Sequence, residues 1–222
     1  MAPSPSRHDL VWLDPVRSAG LVVEPAWRPE VERWLDRGLP AVARRRDRDP
    51  GAGSGTDVAL GIPLPPSRGK ARIALTAPAG AVARVDPPLR LATALGSAPP
   101  AWRQPLRALD GAARELGVVL RVHGSLAWQH LTGEPWVVGG SDVDLLVDLD
   151  RAAQVEGALT LLAAWERTAG IRADGELRLP GGGVAWRELA SGARQVLLKS
   201  DAAARLVPRA AVLAGLAAGG AP

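Results

Sequence analysis

Two stretches decide the fold: VVLRVHGS at residues 118–125 and SDVDLLV at residues 141–147. The first begins with Val118–Val122, a largely apolar run that predicts a strand and that a Gly-Ser pair then interrupts. A short helix is predicted over Leu126–Leu131, and the second stretch predicts another buried strand, Val143–Leu149. A strand, a turn, a helix and a second strand in this order indicate an α/β sheet flanked by helices.

The segments on either side of these stretches extend the same pattern. Leu106, Leu109, Ala113 and Leu116 fall on one helical face ahead of the first strand. The elements predicted after the second strand are a helix over Ala152–Thr168, a hairpin of Ile171–Leu179 and Val184–Leu189, a strand over Gln195–Lys199 and an alanine-rich C-terminal helix. We therefore expect an α+β or α/β C-terminal domain built on a mixed sheet flanked by helices.

The N-terminal half is rich in proline and predicts a smaller, β-rich module. Its predicted elements are strands at Leu10–Leu13, Pro40–Arg46, Asp57–Leu64 and Ala71–Leu75 and a short helix at Val31–Leu39. Small residues and prolines from Leu95 to Trp102 separate this module from the second half. We therefore predict two domains, an N-terminal module at residues 7–94 and a C-terminal domain at residues 103–222.

Composition and charge exclude several classes of function. The 222 residues include no Cys, which excludes disulfides, thiolate zinc centres and cysteine catalysis. The net charge is +4, and the surplus lies in residues 1–100, which hold 14 Lys+Arg against 10 Asp+Glu. So small a surplus argues against duplex nucleic acid but allows a local cluster to bind a small polyanion. No signal peptide or membrane-spanning stretch is evident, so we expect a cytoplasmic protein with no membrane partner.

Asp142 and Asp144 form the candidate chemical centre. Side chains alternate along a strand, so these two carboxylates point the same way with Cα atoms about 6–7 Å apart. Two carboxylates at that separation repel each other unless a cation lies between them, and Mg²⁺ prefers such oxygen ligands. The alternative is a plain strand that carries exposed acids.

The Gly124-Ser125 pair supplies a second candidate feature. Gly124 lets the backbone approach a phosphate closely, Ser125 adds a hydroxyl donor, and the helix that follows offers free N–H groups at its N-terminus. Residues 122–150 contain no Lys or Arg but five acids, so this stretch repels a polyphosphate unless a metal is bound. The two features together indicate metal-dependent phosphate chemistry.

The pattern VHGS at 122–125 followed by SDVDLL at 141–146 resembles the nucleotidyltransferase superfamily. A longer similarity is to the malonate decarboxylase holo-acyl-carrier-protein synthases, also called phosphoribosyl-dephospho-CoA transferases. It extends to RHDLVW at 7–12, RRR at 44–46, VAWRE at 184–188 and GARQVLLKS at 192–200. One departure is that 16 residues separate Ser125 from Asp142, more than in minimal nucleotidyltransferases, which implies a larger loop at the site.

The resemblance implies a nucleotidyltransferase-like C-terminal domain and a specific reaction. The phosphoribosyl-dephospho-CoA group of 2′-(5-triphosphoribosyl)-3′-dephospho-CoA is transferred to a serine of the apo acyl-carrier subunit of malonate decarboxylase, and pyrophosphate leaves. Asp142 and Asp144 are expected to hold Mg²⁺ or Mn²⁺. A third carboxylate is expected on a neighbouring strand; Asp174 is the first choice, with Glu176 and Glu188 as alternatives.

Basic residues are the remaining candidates for binding the substrate. Lys199 is expected to bind phosphate, although a surface lysine at a strand end is an equally valid interpretation. Arg44, Arg45, Arg46 and Lys70 are expected to bind the substrate phosphates or the carrier from the N-terminal module, because the arginine fork matches phosphate oxygens. Two other functions stay open: a different Mg²⁺-dependent nucleotidyltransferase acting on a small molecule or protein, such as a toxin-like enzyme, or a non-catalytic phosphate-binding protein.

Overall fold

The structure is a computed structural model that describes residues 5–14, 16, 20–45, 57–69 and 71–219. Contacts divide these residues into two units, one reaching Pro88 and including Asp201–Ala203, the other comprising Leu89–Ser200 and the chain from Ala204 onward. The strands and helices of these units confirm the mixed α+β architecture with a β-rich N-terminal part. None of the helices in these ranges combines the length and apolarity that a bilayer crossing requires.

In its described residues, the N-terminal unit is an antiparallel sheet with one α-helix. Its elements are β1 (Leu10–Leu13), β2 (Val22–Val23), α1 (Arg28–Asp36), β3 (Ala41–Ala43), β4 (Val58–Pro63), β5 (Arg72–Ala77) and β6 (Val82–Asp86). The strands lie in the order β2-β5-β4-β3-β1-β6. Leu60, Ile62 and Ile73 are fully buried in the sheet, and α1 buries Val31 and Trp34.

The C-terminal unit is a mixed sheet with helices. Its elements are β7 (Leu89–Arg90), α2 (Leu91–Ala94), α3 (Pro100–Glu115), β8 (Val119–Val122), α4 (Gly124–Thr132), β9 (Val143–Asp148), α5 (Ala153–Ala169), β10 (Ala173–Leu179), β11 (Gly182–Ala185), α6 (Trp186–Ala190), β12 (Gln195–Lys199), β13 (Ala204–Pro208) and α7 (Arg209–Gly219). The strand order is β13-β12-β11-β10-β9-β8-β7. β9 and β10 are parallel, so the chain must cross over between them, and α5 makes that crossover.

Side chains alternate between the two faces of this sheet along its central strands, and the two faces are unlike, although the buried Leu146 lies between Asp144 and Asp148. Val143, Leu145 and Val147 enter one apolar core together with residues of α2 to α7. The intervening positions form what we call the polar face. Its charged members are Arg90 on β7, Arg121 on β8, Asp144 and Asp148 on β9, Asp174, Glu176 and Arg178 on β10, and Lys199 on β12. Packing of the apolar face into the core therefore fixes the charged side chains of neighbouring strands beside one another on the polar face.

The units divide at the Pro87-Pro88 pair rather than in the stretch from Leu95 to Trp102. Leu89 and Arg90 pair with β8, and Leu91 is buried in the C-terminal core. Residues 89–94, assigned above to the N-terminal module, thus belong to the C-terminal unit. The prolines of the expected linker instead begin α3, because the first helical turn needs no N–H from a proline.

Two elements near the C-terminus differ from their predictions. The strand predicted over Val184–Leu189 ends at Ala185 and is followed by α6, whose Trp186 and Leu189 are buried at helical spacing. The alanine-rich helix is preceded by β13, which the sequence analysis missed. Most side chains of this edge strand are exposed, so no apolar alternation marks it in the sequence.

An ion network ties three adjacent strands together on the polar face. The Nε groups of Arg121 and Arg178 donate to the two carboxylate oxygens of Asp148 at 2.7 and 2.5 Å. Burial disfavours the charged form of Asp148, but the hydrogen bonds from the two arginines outweigh it and hold the pKa of the carboxyl below its ordinary value of 3.8. The ionised carboxylate therefore stabilises the native pairing of β8, β9 and β10.

This network predicts a pH dependence of stability. Because the native pKa of Asp148 is lowered, its contribution is present above about pH 4 and is lost as the pH falls through the native pKa. Asp148→Asn should lower the free energy of unfolding at pH 7 by about 1–3 kcal/mol. The difference from wild type should shrink below pH 4, measured by urea denaturation between pH 7 and pH 3. Asp150→Asn, which removes an exposed acid two residues away, is the control and should change little. A constant gap between Asp148→Asn and wild type at every pH would contradict this role.

Candidate active site

Three of the predicted carboxylates come from adjacent ends of β9 and β10. Asp144 pairs in register with Asp174, and each is the second residue of its strand. Asp142 lies immediately ahead of β9, two residues before Asp144. Asp142 and Asp144 are half-buried, whereas Asp174 is exposed. The parallel pairing thus places Asp174 beside Asp144 on the polar face.

Gly124 lies directly against the carboxylate of Asp144. Its φ is +61°, and a Cβ atom added there would lie 1.8 Å from Oδ2 of Asp144. The backbone N–H of His123 donates to the carbonyl oxygen of Asp144 at 3.1 Å, which holds the turn after β8 against β9. Only glycine fits here, because any side chain would displace the carboxylate. Gly124 and Asp144, which the sequence analysis assigned to one candidate site, are therefore direct neighbours in the fold.

The N-terminus of α4 lies at this contact. α4 begins at Gly124, Ser125 is its second residue, and the side chain of the preceding His123 makes no capping hydrogen bond. No acid occupies the first turn of α4. The first N–H groups of a helix have no partner within the helix and carry partial positive charge. This end of α4 therefore offers donors next to Asp144, as a phosphate site requires.

Asp174 has a cationic neighbour that the sequence analysis missed. Arg187 of α6 forms an ion pair with Glu166 of α5, and Glu166 also accepts the N–H of Ala173 at 2.9 Å. The hydrogen bond to Glu166 raises the pKa of Arg187 against the effect of burial, and the charge of Asp174 raises it further. The pair holds the start of β10. Its two members are 21 residues apart in the sequence, so no local pattern signals it.

The two alternatives for the third carboxylate are engaged elsewhere. Glu176 is buried, and its Oε2 lies 3.7 Å from Nζ of Lys199. Glu188 is on α6 rather than on a strand, as stated above, and it accepts the N–H of Leu197 at 2.8 Å. Asp174 is therefore the acid that the fold brings beside Asp144, whereas Glu188 fastens α6 to β12.

The remaining basic candidates belong to the N-terminal unit or lie outside the described residues. Arg44 and Arg45 are exposed at the end of β3, and Arg46 and Lys70 lie outside the described ranges. Trp128 of α4 packs against Trp136 of the loop that precedes Asp142; both are buried, with ring centroids 6.0 Å apart.

The donor chemistry of the acids fits a hard divalent cation. Carboxylate oxygens are what Mg²⁺ and Mn²⁺ prefer, and Asp142, Asp144 and Asp174 present them on one side of the sheet. Among the residues that the structure describes, no three His, Cys, Asp or Glu side chains are gathered closely enough to hold a metal by themselves. Asp142 and Asp144 thus fit as protein ligands, with the other positions left to water or to phosphate oxygens.

Comparisons with known proteins assign the two halves of the chain to domains of one family. Residues 57–210 match the phosphoribosyl-dephospho-CoA transferase MdcG C-terminal domain, and residues 6–88 match the corresponding N-terminal domain. No solved structure matches the chain.

Relatives named phosphoribosyl-dephospho-CoA transferase match along most of their length. One from Xanthomonas campestris is 45% identical over 207 residues, covering 93% of this chain and 95% of its own. One from Bradyrhizobium diazoefficiens is 38% identical over 224 residues, covering 95% and 93%, and one from Pseudomonas aeruginosa is 34% identical over 214 residues, covering 91% and 92%. Both domain matches and these full-length similarities agree with the motifs around Gly124 and Asp144, and the chain belongs to the phosphoribosyl-dephospho-CoA transferase family.

Proposed function

We propose that the protein transfers phosphoribosyl-dephospho-CoA from 2′-(5-triphosphoribosyl)-3′-dephospho-CoA to a serine of the apo acyl-carrier subunit of malonate decarboxylase. The observation that carries the proposal is the contact between Asp144 and Gly124 at the start of α4, with Asp174 in register beside it. It places acids for a metal and backbone donors for phosphate at one point. Family membership supplies the substrate class.

The reaction is a substitution at the α-phosphate. A bond forms between the serine Oγ of the carrier and the α-phosphorus, and the bond from that phosphorus to the bridging oxygen of the β-phosphate breaks. Pyrophosphate leaves with the electron pair, and the serine proton is released to solvent. The product is a phosphodiester that links the prosthetic group to the carrier.

The residues of the site have separate roles in this reaction. Asp142 and Asp144 would hold Mg²⁺, with Asp174 beside them, and the bound ion would supply charge neutralisation for the phosphates. The N–H groups at the start of α4 and the hydroxyl of Ser125 bind phosphate oxygens. Lys199 adds a positive charge farther along the polar face, where Glu176 orients its ammonium group.

The N-terminal unit has a binding role in this proposal. Arg44 and Arg45 are exposed, and the N-terminal half carries the net positive charge of the chain. The substrate carries a triphosphate and the pyrophosphate of CoA, more charge than a single metal site neutralises. We assign the arginine run to binding the substrate phosphates or the carrier.

The central test is carrier modification. The purified protein, the apo-carrier, the triphosphoribosyl precursor and Mg²⁺ should give a carrier whose mass rises by one phosphoribosyl-dephospho-CoA group. Asp142→Asn and Asp144→Asn should each slow transfer by about a hundredfold or more, because a ligand of the charge-neutralising ion is lost. Circular dichroism should show both variants folded. Modification at the wild-type rate by either variant, or none by wild type, would overturn the proposal; a wild type that instead consumes a nucleoside triphosphate identifies a different nucleotidyltransferase.

The third carboxylate can be assigned by comparing two neutral variants. Asp174→Asn should lower kcat by about tenfold or more, because it removes charge beside Asp144. Glu188→Gln retains an oxygen that can accept the Leu197 N–H, so its kcat should stay near that of wild type. A larger loss of kcat for Glu188→Gln would reverse the assignment.

Gly124 is testable against a glycine with nearly the same backbone conformation. Gly124→Ala should lower transfer by about tenfold or more, because its Cβ would collide with the Asp144 carboxylate. In Gly170→Ala the φ of +64° imposes similar strain, about 1–2 kcal/mol, but no atom lies within 4 Å of the new Cβ. Both variants should lose stability in thermal unfolding, and only Gly124→Ala should lose activity. Equal activities would mean that the contact with Asp144 is dispensable.

A further inference from the structure

One side chain fixes the loop that leads into Asp142. Oε1 of Gln129, on α4, accepts the backbone N–H groups of Trp136 and Val137 at 3.0 and 2.9 Å. Its Nε2 donates to the carbonyl oxygen of Ser97 at 2.5 Å. Gln129 thereby binds two consecutive amides of the loop between α4 and β9, and the same amide group anchors to the turn before α3.

The segment between the amides that Gln129 binds and Asp142 is short, and two hydrogen bonds close it into a turn. The N–H of Val138 donates to Oγ of Ser141 at 3.0 Å, and the N–H of Ser141 donates to the carbonyl oxygen of Val138 at 3.0 Å. On the far side of Asp142, the N–H of Val143 donates to the carbonyl oxygen of Arg172 at 2.9 Å. Asp142 therefore lies between the turn that ends at Ser141 and the first hydrogen bond of β9. The position of that turn depends on Gln129.

We infer that Gln129 is a positioning residue that sets Asp142 relative to Gly124 and Ser125. The helix that carries Gln129 also begins against the Asp144 carboxylate. One helix therefore contacts Asp144 at its first residue and holds the loop before Asp142 through Gln129. This inference rests on the proposed function, since it concerns the acids assigned to Mg²⁺. Glutamine suits the role because its oxygen accepts two bonds while its amide donates a third.

A matched glutamine at the opposite end of β9 separates positioning from simple stabilisation. Oε1 of Gln154 accepts the N–H groups of Asp150 and Arg151 at 2.8 and 3.0 Å, and its Nε2 donates to the carbonyl oxygen of Gly117 at 2.8 Å. The two glutamines make the same kind of clamp. Only Gln129 holds the segment that ends at Asp142.

The experiment compares Gln129→Met, Gln129→Glu and Gln154→Met in the full chain. Binding of Mn²⁺ alone is measured from the electron paramagnetic resonance signal of the free ion, and the Mg²⁺ concentration for half-maximal transfer is measured separately. Both methionine variants should lose thermal stability. Gln129→Met alone should weaken Mn²⁺ binding and raise the Mg²⁺ requirement, each by about tenfold, as is typical when a group that orients a ligand is lost. Gln129→Glu keeps an oxygen that accepts the amides of Trp136 and Val137 but loses the bond to Ser97. It should stay within about twofold of wild type in both, because the two loop amides, not Ser97, lead to Asp142.

Three results would overturn the inference. The first is Mn²⁺ binding by Gln129→Met that equals wild type, and the second is Mn²⁺ binding weakened equally in Gln154→Met. The third is a tenfold weaker binding of Mn²⁺ by Gln129→Glu while hydrogen exchange shows the amides of Trp136 and Val137 still protected. The last comparison decides the matter if Gln129→Met fails to fold. Failure of the proposed function is distinct, since it appears as wild-type protein that binds Mn²⁺ but leaves the carrier unmodified.

Discussion

The alternation of strand β9 is the constraint on which the rest of the structure depends. Val143, Leu145 and Val147 are completely buried in the core. A shift of one residue in either direction would put Leu146 and two acids, Asp144 with either Asp142 or Asp148, in their places. Such a shift would bury carboxylates among apolar side chains, at a cost that no pairing there could offset. Core packing therefore fixes the two acids on the polar face, and pairing with β10 brings Asp174 beside the first of them.

The sequence predicted those elements whose local pattern agrees with their environment in the fold. β1 was predicted to its exact ends, and the strands around Gly124 and Asp144 were predicted to within a residue or so, because each is an apolar run ended by a turn. Asp174 was placed beside the acid pair through the strand after α5. The nucleotidyltransferase likeness and the metal remain predictions.

Other features depend on partners distant in sequence, and these were missed. Strand β13 is held by backbone pairing with β12, and its side chains are mostly exposed, so no apolar alternation marks it in the sequence. The bonds of Asp148 to Arg121 and Arg178 join residues on three strands, although the even spacing of Asp144 and Asp148 signals a shared face. Gln129 looks like any polar residue of a helix in the sequence. Its partners are backbone amides of the following loop, which leave no side-chain pattern to detect.

Charge on the polar face is unevenly compensated along its length. Lys199 contacts Glu176, and both Arg121 and Arg178 contact Asp148, so these three cations are bound to acids away from Asp142. The fourth cation of the face, Arg90, lies on the edge strand β7. Negative charge is thus concentrated at the end where the proposed metal binds. A phosphate chain lying along the face would pass from that end towards a more nearly balanced region.

The pairing of Glu176 with Lys199 spans a strand that contributes no side chain to it. These residues lie on β10 and β12, whose backbones are separated by β11 and hence by about 9–10 Å. The carboxylate crosses above Gly183, where a Cβ would lie 1.9 Å from Oε1 of Glu176. The run of three glycines at 181–183 is therefore more than a hairpin turn. Gly183, the last of the three, leaves a gap in the sheet surface through which the Glu176 side chain reaches Lys199. The ion pair between β10 and β12 therefore dictates a glycine on β11, a strand that takes no part in the pair.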